Sequence, residues 1–240
     1  MTKQGVLSEH TIDIVKSTAP VLAVHGEAIT TKFYAMLFEA HPELLNMFNH
    51  TNQATGAQPK ALAQALYAAA SYVDRLEVLE SFVEKTAQKH ASVGVKPEHY
   101  PIVGHFLIKA MEEVLQENAT TDILEAWTET YGAVADIFIR AEQTLYETKE
   151  EEPKGWTGYK DFTVVDIVQE SSRMKSFYLQ PADHSPLPSF LSGQYVSLRC
   201  SIPGEEYTMY ALTACPMLPV PAPIELRSST KKKESFPLIS

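Results

Sequence analysis

The chain has 240 residues, enough for one large domain or for one domain and part of a second, and its hydrophobic fraction of 45% is ordinary for a globular protein. Its net charge of -10 disfavours a surface that binds nucleic acid or an anionic membrane. The two cysteines form no metal-binding or disulfide pattern, and the sequence shows neither a signal peptide nor an apolar run of about 20 residues, so we expect a cytoplasmic protein without a membrane span.

Apolar residues recur at helical spacing from Ser8 to about Tyr146. Ser8 is a favourable N-cap for the first helix, and Asp122 is one for the last. His41-Pro42 ends one helix, and Pro42 can open a short one because proline is tolerated in a first turn. The predicted helices cover about 8–22, 27–40, 42–48, 58–72, 79–93, 97–114 and 122–146, with a polar loop at 49–56.

One of these helices ends in a histidine. His90 shares a helical face with Val83 and Thr86, and Gly94 and Pro97 then stop the helix. A lone histidine on such a face is more often a hydrogen-bonded core residue than a ligand, at odds of about three to one. The spacing alone therefore favours a structural role for His90.

A carboxylate lies on the buried stripe of the last helix. Glu142 comes four residues after Phe138 and three before Leu145. A buried carboxylate is costly unless it is paired and hydrogen-bonded. Two interpretations stay open from the residues alone: the side chain reaches water at the edge of the stripe, or it accepts a hydrogen bond from a buried histidine, which metal-ligating histidines usually donate.

A pocket opposite such a histidine would need a few polar groups on an apolar wall. Gln58 and Leu62 are four residues apart and face the same way, Tyr34 lies on the second helix, and Phe48 follows the proline corner. Each of them alone is more often a core or surface residue than a site residue.

The composition changes after Glu147. A charged run closed by Pro153 and Gly155 predicts a linker over 148–155. Beyond it the apolar residues shift to a period of two, which predicts short strands. The predicted strands cover 162–168, 176–180, 194–200 and 207–212. The proline-dense and then basic sequence at 216–240 predicts a disordered tail.

The segment from about Leu7 to Tyr146 resembles the globin domain of flavohaemoglobins. The matching segments are Lys32–Phe38, His41–Leu44, Met47–Asn49, Asn52-Gln53, Lys85–His90, Lys96–Tyr100, Ala126-Trp127 and Tyr131-Gly132. The resemblance implies an all-α globin fold over 1–147 and a b-type haem whose iron is held by His90. It thereby reverses the odds against a ligand role for His90.

The resemblance also implies roles around the haem. Tyr34 would hydrogen-bond bound oxygen as a catalytic residue, because a hydroxyl donor stabilises the negative charge that develops there. Phe48 would pack on the haem, and Gln58 and Leu62 would line the pocket on the oxygen side.

On the other side, Tyr100 and Glu142 would form a catalytic relay with His90, and Lys89 would tune the redox properties of the cofactors. A histidine polarised by Glu142 pushes electron density onto the iron and so favours oxygen activation over simple oxygen storage.

Residues from about Pro153 to Leu212 resemble the start of the family's flavin-binding barrel, at Gly155-Trp156, at Phe162 and at 192–195. The resemblance implies an incomplete antiparallel β-barrel over 156–215, with Tyr195 and Tyr210 as FAD contacts. The family has an Arg-x-Tyr-Ser motif where this chain has Thr208-Met209-Tyr210-Ala211, and the loss of an arginine that would bind a pyrophosphate counts against flavin binding. No GxGxxG motif follows, so no NAD(P)H-binding domain is predicted.

The leading interpretation is a truncated flavohaemoglobin, an oxidoreductase that binds O2 and converts nitric oxide to nitrate. We expect it to be unable to re-reduce its own haem, so that a separate reductase would supply electrons. One alternative is an oxygen-binding or oxygen-sensing globin with a vestigial second domain, and another is a gene fragment without a distinct role. An intact electron-donor domain in the same chain would separate the first interpretation from the others.

Overall fold

The computed structural model describes residues 7–48, 50–188, 196–202, 205–212 and 224–229. The chain divides into two compact units, Met1–Tyr146 and Glu147–Ser240. The first unit is helical and the second is built of antiparallel strands, so the predicted fold class is confirmed. No helix in the described part of the chain is long and apolar enough to cross a membrane.

The described residues form the α-helices α1 (Glu9–Ser17), α2 (Ala19–Ala40), α3 (His50–Ala54), α4 (Ala57–Ser71), α5 (Glu80–Val93), α6 (His99–Leu115) and α7 (Thr121–Glu151). Short 3-10 helices occupy Pro42–Met47, Leu76–Leu79 and Gln116–Asn118. The predicted cap of α1 is confirmed, because the Ser8 hydroxyl accepts a hydrogen bond from the Thr11 N–H at 3.0 Å. The predicted stop of α5 is confirmed too, with Gly94 in the left-handed region at φ 75°.

The first predicted helix is wrong beyond Ser17. Thr18 separates α1 from α2, and both its N–H and its hydroxyl bond to the Val15 carbonyl, at 3.1 and 2.6 Å. Pro20 then lies in the first turn of α2, where its missing N–H costs nothing. Helix α2 therefore begins at Ala19 rather than near residue 27.

Two smaller differences concern helix starts. The predicted polar loop at 49–56 contains the five-residue helix α3, which is too short to leave a periodic pattern in the sequence. Helix α7 begins at Thr121, so Asp122 lies inside its first turn rather than at its cap. The hydroxyl of Thr120 accepts from the Ile123 N–H at 3.4 Å in its place.

The core of the helical unit forms where α2 crosses α4 and α6. The fully buried side chains on these helices include Ile29, Phe33, Leu37 and Met111. Gly26 permits the close crossing of α2 and α4, because a Cβ there would come within 3.2 Å of the Cβ of Ala63. Trp127 joins α7 to this core and donates from Nε1 to the Thr18 hydroxyl at 3.1 Å.

The second unit contains β1 (Phe162–Ser171), β2 (Met174–Pro181), β3 (Val196–Ile202), β4 (Glu205–Leu212) and β5 (Ile224–Ser229). The described strands form a three-stranded antiparallel sheet in the order β1-β2-β5 and a two-stranded antiparallel sheet of β3 and β4. All four predicted strands are present.

Two segments differ from the prediction. Part of the predicted tail forms β5, whose alternating Ile-Glu-Leu-Arg pattern pairs with β2. The predicted linker is helical as far as Glu151, because the charged residues continue α7 in solvent and Lys149 pairs with Glu152 at 2.7 Å. The domain limits at residues 147, 156 and 215 remain predictions.

Candidate functional site

Three side chains from three helices meet at one carboxylate oxygen. His90 comes from the last turn of α5, Tyr100 from the first turn of α6 and Glu142 from α7. His90 Nδ1 lies 2.6 Å from Glu142 Oε1, and the Tyr100 hydroxyl donates to the same oxygen at 2.5 Å. His90 Nδ1 also lies 3.2 Å from the Tyr100 hydroxyl oxygen. We call these three residues the histidine cluster.

The geometry of the histidine cluster determines which nitrogen of His90 is available. Glu142 is 2% exposed, and its Oε1 accepts from both neighbours. Burial, followed by the hydrogen bond to Glu142, raises the pKa of Tyr100 far above its usual range, so its hydroxyl keeps the proton that it donates. A neutral imidazole whose Nδ1–H donates to a carboxylate carries its lone pair on Nε2.

The His90 ring is anchored on one side and accessible on the other. Its side chain is 34% exposed, and the Phe138 ring lies 5.6 Å away between centroids. Within the described part of the chain only Nδ1 takes part in hydrogen bonds. An accessible imidazole nitrogen with a lone pair, backed by a carboxylate, is the arrangement that metal-ligating histidines use.

A second group of predicted residues meets around Tyr34. This residue is 7% exposed, and its ring packs edge-on to Phe48 at 5.6 Å and stacks on Phe38 at 5.7 Å. Burial raises the pKa of Tyr34 to about 12, an effect that its hydrogen bond with Gln58 partly opposes. Tyr34 therefore presents a protonated hydroxyl within an aromatic wall.

The other predicted site residues take separate positions. Leu62 is half-buried one turn after Gln58 and packs against the core, and Lys89 is exposed on α5. Tyr210 lies in β4 opposite Leu198 of β3, and Tyr195 falls outside the described residues. The roles assigned to all the predicted site residues remain predictions.

Two further tyrosines, to which the sequence assigned no site role, lie beside the histidine cluster. Tyr131 and Tyr146, both on α7, donate from their hydroxyls to the carbonyls of Tyr100 and Val95, each at 2.7 Å. A usable signal was present, since a tyrosine on an otherwise apolar helix stripe must find a partner for its hydroxyl.

Comparisons with known proteins agree with the helical architecture. The Globin family model matches residues 31–138. A bacterial globin from Campylobacter jejuni is 43% identical, and the match covers 58% of this chain and 99% of that one, with a TM-score of 0.56. The chain belongs to the globin family. In this globin the histidine cluster joins α5, α6 and α7, and Tyr34 lies on α2.

The similarity continues beyond the globin unit. The flavohemoprotein of Bacillus subtilis (strain 168) is 48% identical over 214 residues, which are 88% of this chain and 54% of that protein. The flavohemoglobin of Malassezia yamatoensis, solved with bound FAD and heme, is 27% identical with a TM-score of 0.81, and the match covers 96% of this chain and 59% of that one. The chain thus spans about half the length of the curated relatives it matches.

Proposed function

We propose that the globin unit binds a b-type haem through His90 Nε2 and acts on O2 and nitric oxide as a nitric oxide dioxygenase-type oxidoreductase. The observation that carries this proposal is the 2.6 Å hydrogen bond between His90 Nδ1 and Glu142, which leaves Nε2 as the ligating nitrogen. The residues fit a haem, because haem needs an imidazole nitrogen on the iron and apolar walls around the ring. The haem and FAD of the Malassezia yamatoensis relative support the same cofactor class.

When bound, the haem supplies the redox centre at which nitric oxide and dioxygen combine. The protein's contribution on the His90 side is a fixed, electron-rich imidazole. Glu142 holds the Nδ1 proton and prevents the ring from turning, and Tyr100 donates to the same oxygen and keeps the carboxylate in place. A ligand made more basic in this way favours activation of oxygen over its reversible storage.

The group around Tyr34 would supply a hydrogen-bond donor to the pocket. We propose that the Tyr34 hydroxyl donates to the oxygen substrate, where negative charge develops. The rings of Phe48 and Phe38 pack around the Tyr34 ring and exclude water. Because the pKa of Tyr34 is raised to about 12, the donor stays protonated throughout the physiological range.

Conversion of nitric oxide and O2 to the nitrate anion takes up one electron per turnover. We propose that a separate reductase supplies this electron to the 240-residue chain, in the reducing cytosol that its two cysteines favour. The support is Thr208 and Ala211, which stand where the flavin-phosphate motif of the family has arginine and serine. Reduction of the haem by NADPH with added FAD, without another protein, would contradict this proposal.

The same replacements favour a second candidate function, an oxygen-binding or oxygen-sensing globin whose second unit carries no flavin. The two candidates share the haem and the Tyr34 hydroxyl and differ in the reaction with nitric oxide. Any oxygenated haem protein can convert one equivalent of nitric oxide, so repeated formation of nitrate with an added reductase as the electron source is the outcome that would separate the enzyme from the sensor.

Replacement of His90 tests the haem proposal. We expect His90→Ala to abolish stoichiometric haem uptake, because the only proposed iron ligand is lost. The measurement is titration of the haem-free protein with haemin, followed by the absorption spectrum. His25→Ala is the matched control, since His25 is exposed on α2 and should leave uptake unchanged. Undiminished uptake and an unaltered reduced spectrum in His90→Ala would overturn the assignment.

A further inference from the structure

The geometry points to Tyr131 and Tyr146 as positioning residues that hold His90 and Tyr100 at hydrogen-bonding distance from Glu142. Each tyrosine donates to a main-chain carbonyl, Tyr131 to that of Tyr100 and Tyr146 to that of Val95, rather than to a side chain of the cluster. Together they fasten the α5–α6 connection to α7, the helix that carries Glu142. The inference rests on the proposed function only in one of its two tests, which is made on the haem-loaded protein.

The connection between α5 and α6 is the element that must be held. It covers residues 94–98, so it is only five residues long, and it has His90 just before it and Tyr100 just after it. Both side chains bind Oε1 of Glu142 on a third helix. Their hydrogen-bond lengths therefore depend on where the main chain of the connection lies relative to α7.

Tyr146 holds the His90 end of the connection. The Val95 N–H donates to the His90 carbonyl at 3.0 Å and so closes the last turn of α5. The Val95 carbonyl accepts from the Tyr146 hydroxyl at 2.7 Å. Tyr146 comes four residues after Glu142, so one face of α7 holds both the His90 side chain and the main chain that follows it.

Tyr131 holds the Tyr100 end. Its hydroxyl donates to the Tyr100 carbonyl at 2.7 Å, and burial raises the pKa of Tyr131 far enough to keep this donor protonated. Its ring lies against Gly104 one turn further along α6, where a Cβ would come within 2.5 Å of the ring. Glycine at position 104 is therefore what lets the ring reach this place.

The consequence for the cluster follows from hydrogen-bond geometry. Two donors at 2.6 and 2.5 Å converge on a single oxygen, and hydrogen bonds weaken steeply with distance and misalignment. Loss of either tyrosine hydroxyl releases one end of the connection. His90 Nδ1 or the Tyr100 hydroxyl then moves away from Glu142, and the basicity of His90 falls without any change to the three cluster residues.

The test uses the full 240-residue chain and five variants, of which Glu142→Gln is the reference for the second readout. Tyr146→Phe and Tyr131→Phe remove one hydroxyl each, and Gly104→Ala displaces the Tyr131 ring while keeping its hydroxyl. Tyr67→Phe is the matched control, because Tyr67 is 46% exposed on α4. Circular dichroism establishes that each variant keeps its helices.

The first readout needs no haem. Hydrogen–deuterium exchange of the amides at 91–100 should be about tenfold faster or more in Tyr146→Phe and Tyr131→Phe, since the fastened segment opens more often. Tyr67→Phe should match the parent protein. Exchange that stays within about twofold of the parent in both variants would overturn the inference. This readout also decides the matter if the chain takes up no haem, an outcome that would instead refute the proposed function.

The second readout is the iron–histidine stretching band of the reduced, haem-loaded protein in resonance Raman spectra, with Glu142→Gln as the reference for a weakened Nδ1 hydrogen bond. We expect Tyr146→Phe and Tyr131→Phe to shift this band in the direction of Glu142→Gln, and Gly104→Ala to reproduce Tyr131→Phe. A purely structural role would lower stability and leave the band in place. A band that moves in Glu142→Gln and in none of the three other variants would overturn the inference.

Discussion

At the scale of the residue, one carboxylate oxygen decides the chemistry of the candidate site. Glu142 Oε1 is hydrogen-bonded to His90 Nδ1 and to the Tyr100 hydroxyl. Because Nδ1 is engaged, Nε2 is the nitrogen that His90 can offer to a metal. The second oxygen, Oε2, is buried and has no hydrogen-bond partner among the described residues. Both hydrogen bonds of the cluster therefore depend on Oε1, and small displacements of the two donors weaken these bonds steeply.

Tyr34 gives a prediction at the same scale. Tyr34→Phe removes the donor to the oxygen substrate, and loss of one hydrogen bond to a charged group costs roughly 1.5–3 kcal/mol, or about ten- to a hundredfold in dissociation rate. We expect oxygen to leave the haem-loaded variant faster by this factor, measured by stopped-flow displacement with carbon monoxide. Tyr67→Phe controls for the substitution, and an oxygen off-rate of Tyr34→Phe within about twofold of the parent would refute the role.

The sequence was informative about side chains that need a partner. Glu142 on a buried stripe pointed to a histidine, and His90 at a helix end supplied it. For Tyr131 and Tyr146 it indicates that each hydroxyl needs a partner but not which one, because the partners are main-chain carbonyls, which every residue possesses. Hydrogen bonds to the main chain leave no complementary residue type for a sequence pattern to reveal.

At the scale of the element, helix α5 depends on how it ends. Gly94 adopts φ 75°, a conformation that costs other residues about 1–2 kcal/mol. Gly132 lies inside α7, and a Cβ there would meet nothing within 4 Å. The backbone at Gly94 thus favours glycine, whereas at Gly132 neither the backbone conformation nor the space around it does.

Alanine substitutions at the two glycines should change the free energy of unfolding in opposite directions. We expect Gly94→Ala to lower the free energy of unfolding by about 1–2 kcal/mol and Gly132→Ala to raise it by about 0.5–1 kcal/mol. Urea unfolding of the haem-free protein, followed by circular dichroism, measures both. The same sign of change in the two variants would contradict the interpretation of Gly94 as a required left-handed cap.

Helix and strand boundaries show where the sequence pattern stops being sufficient. The caps at Ser8 and Gly94 were predictable because their residue types are specific to those positions. The apolar stripe runs through the break at Thr18 and hid it, although Pro20, which has no N–H for a bond inside a helix, was a signal for a helix start there. Strand β5 was hidden by the prolines around it, although its own six residues alternate.

At the scale of the whole molecule, the buried Tyr34 and Tyr100 and the partly buried Tyr131 make stability depend on alkaline pH. Burial raises the pKa of Tyr34 to about 12 and also raises the pKa values of Tyr100 and Tyr131. In the unfolded chain these phenols lose their protons from about pH 10. Between about pH 10 and 12 the folded state thus binds more protons than the unfolded state, and its stability falls as the pH rises.

We therefore expect the free energy of unfolding of the haem-free chain to fall above about pH 10, by up to about 1.4 kcal/mol per pH unit for each of these tyrosines. Urea titrations at several pH values between about 8 and 12 provide the measurement. Tyr34→Phe should reduce the slope of this decline by the contribution of one tyrosine, up to about 1.4 kcal/mol per pH unit. An identical slope in parent and variant would contradict the raised pKa of Tyr34.

The most direct test of the proposed function follows nitric oxide with an electrode. The haem-loaded 240-residue chain, reduced with dithionite, freed of excess reductant and exposed to dioxygen, should rapidly consume about one equivalent of nitric oxide per haem and release nitrate. A second addition with NADPH and FAD present should be consumed only after an external reductase is supplied. Failure of the first equivalent to be consumed, or consumption without nitrate, would contradict the dioxygenase function, and repeated turnover without a reductase would contradict the need for an external electron donor.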